Sequence, residues 1–516
     1  MHKQHAIIIG AGSAGLTAAY YFLTETDIRP IVLEKSNSVG GLARTPVFNG
    51  NRMDIGGHRF FTKDADILEL WNKLLPAQGS PALDDKILER ESLLVDGGAN
   101  PEEVDEVFLN RNRVSRIFYR RKFFSYPVTL SFNTIKNLGL VEMFSIGASF
   151  LKTKFTQREE VTLEDFMINR FGQKLYETFF RDYTTKVWGR TPAEIGADWG
   201  RQRIKGLSLG KTVADFFKKT FGSKDADETS LIERFFYPKL GAGQMWERLA
   251  AEIKRRGGEV LFNSDVKSFR VVDKKIRSIT ADSPAGRLTF PADYYLSSMP
   301  LVELAEALSD GLNYRQLQIA RGLPYRDFIT VGLLVDKLAL KNQTKIKTLG
   351  DIVPDCWIYI QEPSVKLGRL QIFNNWSPYM VADPKNSVWL GLEYFCREGD
   401  ELWQMSENDF VKFAVDELSS IGIIDASSVR FGVQVKVPKA YPAYFDTYEN
   451  ISELRAALDE IQNLYCIGRN GQHRYNNMDH SMLTAREAVR TIAGTSTREN
   501  IWNVNAEQIY HEDKHE

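Results

Sequence analysis

The run over residues 6–58 constrains this chain more than any other. Ala6-Ile7-Ile8-Ile9 is an apolar strand entering Gly10-Ala11-Gly12-Ser13-Ala14-Gly15, a G-x-G-x-x-G turn, and a helical pattern follows through Tyr20-Tyr21-Phe22-Leu23. Ile31-Val32-Leu33 reads as a second strand with Glu34 and Lys35 at its end. Each glycine has a physical reason. Gly10 permits a tight turn, Gly12 lets the backbone approach a pyrophosphate, and Gly15 lets the helix pack closely on the strand. Ser13 and Ala14 open the helix, whose free N–H groups and partial positive charge favour phosphate. Glu34 stands at about the twenty-residue spacing that suits an adenosine ribose. Strand, turn, helix, strand and acid in this order predict a Rossmann-type dinucleotide-binding domain.

The next segment says which dinucleotide. Gly40-Gly41-Leu42-Ala43-Arg44-Thr45 adds a second glycine pair and an arginine just beyond the acid. That suits the extended form of FAD, whose flavin half passes a further close backbone approach while Arg44 meets phosphate or flavin oxygens. A nicotinamide dehydrogenase has no need of this second loop. Asp54-Ile55-Gly56-Gly57-His58 completes the run. The expected cofactor is therefore FAD, held without a covalent bond. No further G-x-G-x-x-G follows, so an external reductant, NADPH or a reductase, is left open.

Composition excludes other classes. The 516 residues suffice for two or three domains, and 66 basic against 67 acidic residues create no field that points to nucleic acid. Cys356, Cys396 and Cys466 lie far apart, form no metal-spaced cluster and suggest a reducing compartment, so the cytoplasm is expected. No secretory signal precedes the first strand. The apolar stretch 138–151 contains Glu142, is short for a membrane span and reads as a buried helix, so no transmembrane segment is expected.

Helical periodicity dominates 131–222, mixed α/β character returns over 235–262, and strand-like runs fill 326–440, including 328–335, 357–360, 370–373 and 388–395. The tail holds Tyr465-Cys466-Ile467 and then a final helix. The expected fold is α/β: a discontinuous FAD-binding domain (1–110, 235–300 and 440–516), a helical substrate or lid domain (111–234) and an antiparallel sheet domain covering the flavin (301–439). Val266, in the second of these FAD-domain segments, is a candidate cofactor contact.

Several distal constellations carry chemistry. Lys186-Val187-Trp188, Trp199 and Arg203 read as a ligand wall with an anion clamp, or as ordinary helix packing with a surface arginine. Arg369, alternating with apolar neighbours before Asn375, reads as a phosphate clamp beside aromatics or as an exposed strand position. In the tail, Gly468-Arg469 and Asp479-His480-Ser481 face the cofactor in this reading, and Asn477 or Asp479 can cap the final helix. A helix N-terminus near the flavin would stabilise negative charge on it. His473 and His480 lack acid or cysteine partners at ligand spacing, so no metal is expected.

These residues carry a resemblance. The chain resembles the UDP-galactopyranose mutases, especially their eukaryotic-type branch, and more broadly the protoporphyrinogen-oxidase and amine-oxidase flavoproteins. The similarity lies in Gly56-Gly57-His58, in Trp188, Trp199 and Arg203, in Trp357-Ile358-Tyr359 with 369–378, and in Tyr441-Pro442, Arg474-Tyr475 and Asp479-His480-Ser481. It implies a nucleotide-sugar pyranose/furanose mutase in which N5 of reduced FAD is the nucleophile on the anomeric carbon. It also implies roles. Arg203 and Arg369 hold the diphosphate, Tyr441 and Tyr475 donate to it, Trp188, Trp199, Tyr359 and Asn375 line the substrate, and His58 sits over the flavin.

The chain departs from the family pattern where Tyr126-Pro127 is followed by Val128-Thr129-Leu130-Ser131, at His473 and at Trp376. The first departure falls on the family's uridine pocket; base and sugar stay open. The alternative is an FAD-dependent oxidoreductase of the protoporphyrinogen-oxidase, amine-oxidase or desaturase kind. Paired arginines favour the mutase, because an apolar or amine substrate needs no diphosphate clamp.

Overall fold

A computed structural model describes residues 4–126, 132–197, 200 and 233–504. Its first layer is a five-stranded parallel sheet. Strand β1 (His5–Ile9) lies at the centre, helix α1 (Ser13–Glu25) follows, and β2 (Arg29–Leu33) returns beside β1. The strand order is Leu464–Cys466, Tyr294–Ser297, β1, β2, Glu259–Leu261. Ile7 pairs with Ile31 on one side and Tyr295 on the other. Three segments distant in sequence thus share one sheet, buried on both faces as parallel sheets require. Helix α1, Gly243–Arg255 and the helix Met478–Ile492 bury Phe22, Trp246 and Val489 against it.

The second sheet has seven strands in the order Val429–Pro442, Tyr325–Val335, Val388–Cys396, Arg369–Ile372, Trp357–Ile360, Ser115–Tyr119, Lys122–Ser125. Every neighbouring pair is antiparallel except Trp357–Ile360 with Ser115–Tyr119. A helical lobe of Phe132–Leu138, Leu140–Phe155, Leu163–Phe171, Gln173–Phe179 and Arg181–Trp188 leans on this sheet.

Two expectations are corrected here. The segment from 111, expected to open a helical domain, is strand: Phe108–Arg113 pairs with Glu233–Pro238, and 115–125 extends the seven-stranded sheet. Phe118 and Phe124 are buried, which pins these short strands to the sheet core. The stretch 138–151, expected to be buried, falls mostly in the helix Leu140–Phe155, whose apolar side faces outward, with Phe144 80% and Val141 86% exposed. It is helix, as read; only Ile146 and Thr153 turn inward to full burial. Among the described residues no helix is long and apolar enough to cross a membrane.

Candidate functional site

The two glycine loops lie back to back. Gly10 turns with φ +98°, and a Cβ there would sit 2.3 Å from Ser298 Oγ. At Gly15 a Cβ would meet the Gly10 carbonyl oxygen at 1.9 Å, so helix and strand approach only through glycine. Gly40, at φ +99°, donates its N–H to the Ala11 carbonyl (2.9 Å), and a Cβ on Gly41 would come within 3.3 Å of Gly12 Cα. Helix α1 has no side-chain cap and no acid in its first turn. Its terminal N–H groups and dipole are left for an anion. The Glu34 carboxylate is oriented by the Ala11 N–H (2.7 Å) and the Ser36 N–H (2.9 Å). Arg44 donates to the Gly41 carbonyl at 3.0 Å, and burial lowers its pKa against the pull of Glu34.

These loops open into a cavity of about 780 Å³. Of the expected cofactor contacts, Gly10, Gly12, Ser13, Ala14, Glu34, Lys35, Gly41, Leu42, Arg44, Gly57, His58, Val266, Gly468, Arg469, Asp479 and Ser481 line it. Gly15 does not line it and acts by packing. The cradle fits a dinucleotide: a side chain at Gly10 or Gly15 would close the space beside the bare helix N-terminus.

Farther along, the loop before His58 is anchored by Asp54. This buried carboxylate accepts from the Thr45 hydroxyl, the Tyr237 hydroxyl and the Ala242 N–H. Thr45 in turn accepts from the Gly243 N–H at 2.7 Å, where Gly243–Arg255 begins. Burial pushes the Asp54 carboxyl up to about 6, against those hydrogen bonds. Gly56 follows at φ +82°, and a Cβ on Gly57 would lie 2.5 Å from the Trp357 ring. His58 Nδ1 is 3.0 Å from the Gly56 carbonyl. Burial depresses the His58 pKa to about 4, with Arg469 adding to the effect, so the ring is neutral at pH 7. Nδ1 then carries the proton that the carbonyl accepts, leaving Nε2 an acceptor.

The opposite wall is built around Arg369. Its Nη1 donates to Glu393 (3.2 Å) and to the Tyr441 hydroxyl (3.1 Å), and its Nε donates to the Tyr183 hydroxyl (3.2 Å). The guanidinium lies between Trp357 and Phe395, 5.1 and 4.9 Å from their ring centroids. Glu393 is wholly buried and is also held by Gln371 Nε2 (3.0 Å). Burial pushes its carboxyl up; Arg369, Gln371 and the Gly57 N–H pull it down. Arg469 stacks on Tyr475 (4.0 Å) and Tyr441 (5.0 Å), which lie face to face. An aromatic ladder runs from Tyr126 over Tyr359 to Trp357, with centroid spacings of 4.2 and 5.8 Å.

Trp188, Tyr359, Arg369, Tyr441 and Tyr475, proposed from sequence as substrate contacts, all line the same cavity as the glycine loops. Trp188 is held there by its helix end. Arg326 donates to the Val187 carbonyl (3.0 Å), and Lys186 donates to the carbonyls of Ile360, Glu362 and Leu367.

Other expectations are corrected. Asn375 faces away: its amide donates to the Val353 and Asp355 carbonyls at 2.9 and 2.8 Å, beside the buried Arg111–Asp84 pair. His480 does not line the cavity; its Nδ1 accepts from the Asn477 N–H (3.2 Å) where the helix Met478–Ile492 starts. Trp376 is a core residue whose indole donates to the Cys356 carbonyl (2.8 Å). Trp199 and Arg203 lie outside the described residues.

Tyr183, Gln371 and Glu393 were not foreseen. Glu393 had a signal, as a lone acid in the apolar strand Val388–Cys396, which is buried throughout. A buried carboxylate needs a cationic or hydrogen-bonding partner.

The comparisons agree with this architecture. A structure of reduced UDP-galactopyranose mutase superposes with a TM-score of 0.75 at 18% identity, covering 98% of this chain and 99% of that one. A putative protoporphyrinogen oxidase from Exiguobacterium sp. 255-15 gives 0.66 at 15% identity, covering 95% and 99%. Putrescine oxidase bound to putrescine gives 0.59 at 14% identity, covering 96% and 99%. At such identities these likenesses speak for the fold alone. The family model described as flavin containing amine oxidoreductase matches residues 13–493. The chain therefore belongs to the flavin-containing amine oxidoreductase family, as an FAD-dependent enzyme.

Proposed function

We propose that this flavoenzyme is a mutase that interconverts the pyranose and furanose forms of a nucleotide-diphosphate sugar. One observation carries the reading: Arg369, with the hydroxyls of Tyr183 and Tyr441 on its guanidinium, borders the same cavity as the dinucleotide cradle. Reduced flavin, when bound, supplies a nucleophilic nitrogen for the anomeric carbon, so no net oxidation is needed.

The chain's own residues then bind and orient. Arg369 donates through Nε to Tyr183 and through Nη1 to Glu393 and Tyr441, which fixes its guanidinium at the cavity wall for a phosphate oxygen. Arg469, stacked beside Tyr475, supplies further positive charge. A leaving diphosphate gains from donors fixed before it departs. Trp188 and Tyr359 exclude water from the sugar. Neutral His58 offers Nε2 as an acceptor for a sugar hydroxyl. Arg203 is proposed as the second diphosphate arginine on family resemblance. An external reductant, NADPH or a reductase, fits the need for reduced flavin. Cys356, Cys396 and Cys466 are free and buried, in keeping with a reducing compartment such as the cytoplasm.

A second reading has its own observation. Arg369 is already paired with Glu393, and the ladder Tyr126–Tyr359–Trp357 offers flat apolar faces. With the Arg369 charge offset by Glu393, that aromatic wall suits an oxidoreductase with an uncharged substrate. The separating experiment is anaerobic reduction with dithionite, addition of UDP-galactofuranose and chromatography of the sugar nucleotide. Conversion only in the reduced state supports the mutase. No binding of any nucleotide sugar by oxidised or reduced enzyme overturns it in favour of the oxidoreductase.

A further inference from the structure

We propose that the helix Leu140–Phe155 docks this protein on an anionic lipid surface, lying in the interface rather than crossing it. At about 100° per residue, Leu140, Val141, Phe144, Ala148, Leu151 and Phe155 fall within one arc of about 100°. The arc faces solvent: Leu140 is 77%, Phe144 80%, Leu151 62% and Phe155 88% exposed. The opposite side carries the buried Ile146 and Thr153 and packs on Gln173–Phe179. The helix is therefore anchored to the protein by one face and presents on the other an apolar stripe that no described residue covers. Exposed aromatic and aliphatic residues in a contiguous patch mark an interaction surface.

Charge says what covers it. By the same helical spacing Lys152 and Lys154 stand on either flank of the stripe, at about 120° and about 320° if Leu140 is 0°. Both are exposed, and Lys154 extends over the Phe150 ring at 5.2 Å. Lysines beside an apolar face can bury their stems while their ammonium groups reach lipid phosphates. The helix itself carries Lys152 and Lys154 against one acid, Glu142, in a chain of net −1. Glu142 sits on the side turned away from the stripe and is paired with Lys174 at 3.2 Å. The docked lobe is also the one that walls the cavity: Gln173–Phe179 leads directly into Arg181–Trp188, which contributes Tyr183 and Trp188.

The test is flotation of the full-length FAD-loaded protein with vesicles of phosphatidylcholine alone or with one-third phosphatidylserine. Binding to the anionic vesicles, weakened by raised salt, is expected. Leu151→Glu with Phe155→Glu should abolish it, and Lys152→Glu with Lys154→Glu should weaken it at least tenfold. The flavin spectrum of each variant reports that it remains folded, and the lysine pair, wholly at the surface, stands in if the first variant does not fold. Wild-type protein that floats with neither vesicle overturns the proposal. So does a concentration-dependent dimer, seen by light scattering, that Leu151→Glu dissociates; that result assigns the stripe to a second copy.

Discussion

The two ends of the cavity are built on different principles. The dinucleotide cradle is backbone: glycines that admit close approach, a bare helix N-terminus and one oriented carboxylate, drawn almost entirely from residues 10–44. The arginine wall is side chain: Arg369, Glu393, Tyr183 and Tyr441 come from four elements far apart in sequence and hold one another by charge and hydroxyl contacts. A backbone site tolerates no added atoms but needs no partner. A side-chain site tolerates small changes of shape but fails when a buried charge loses its counterion.

The sharpest break in that comparison is Arg369→Ala. It strands Glu393 in a fully buried position, so thermal or urea unfolding should show a loss of about 3–5 kcal/mol. Bound FAD, read from its absorbance, should persist, and nucleotide-sugar binding should disappear. Replacing both partners, Arg369→Met with Glu393→Leu, should recover most of the stability. Loss of FAD from the double variant would remove Arg369 from the substrate side of the cavity.

Gly15→Ala attacks the other end. A Cβ only 1.9 Å from the Gly10 carbonyl must push helix and strand apart, at the upper end of the about 1–3 kcal/mol seen for overpacking. The purified protein should lack flavin, whereas the wall variants keep it. Retention of FAD at normal affinity would show that the close packing at Gly15 is dispensable.

His473 offers a pH handle outside the cavity lining. It is fully buried, its Nε2 lies 3.0 Å from the Ala443 carbonyl, and burial lowers its pKa to about 4. The unfolded chain takes up a proton near pH 6.5 that the folded ring refuses. Its contribution is therefore complete above that pH and is lost as pH falls from 6.5 toward 4. Between pH 7 and 4.5 the cost is about 2–3 kcal/mol. Urea titrations at the two pH values should show that slope reduced in His473→Gln, with the cavity chemistry unmoved.

The smallest effect is expected at Tyr441→Phe. It removes one hydroxyl from Arg369 while Glu393 and Tyr183 remain, so nucleotide-sugar binding should weaken about tenfold or less, consistent with about 1 kcal/mol for one hydrogen bond. Calorimetry checks this, and an unchanged affinity would confine Tyr441 to ring packing.

How much of this was legible varies by residue. Gly10, Gly12, Gly15 and Glu34 were readable because a local chain geometry demands those residue types at that spacing. Arg369 was readable as a clamp candidate, but its counterion was not, because Glu393 is a cross-strand neighbour rather than a neighbour in sequence. Asn375 was misread because four residues of helix after the Arg369–Ile372 strand turn its amide toward the Val353 and Asp355 carbonyls. The stretch 138–151 was read as helix but with the wrong surroundings, since an apolar pattern reports that a face is apolar and not what lies against it.

The amino-acid sequence by itself determined the dinucleotide cradle and the α/β class, because both rest on short-range backbone requirements. Only the tertiary structure decided that Arg369 is neutralised by Glu393, that His58 is a neutral acceptor, and that an apolar helix faces outward. Those depend on which distant side chains meet and which are shut off from water, and no local pattern encodes either.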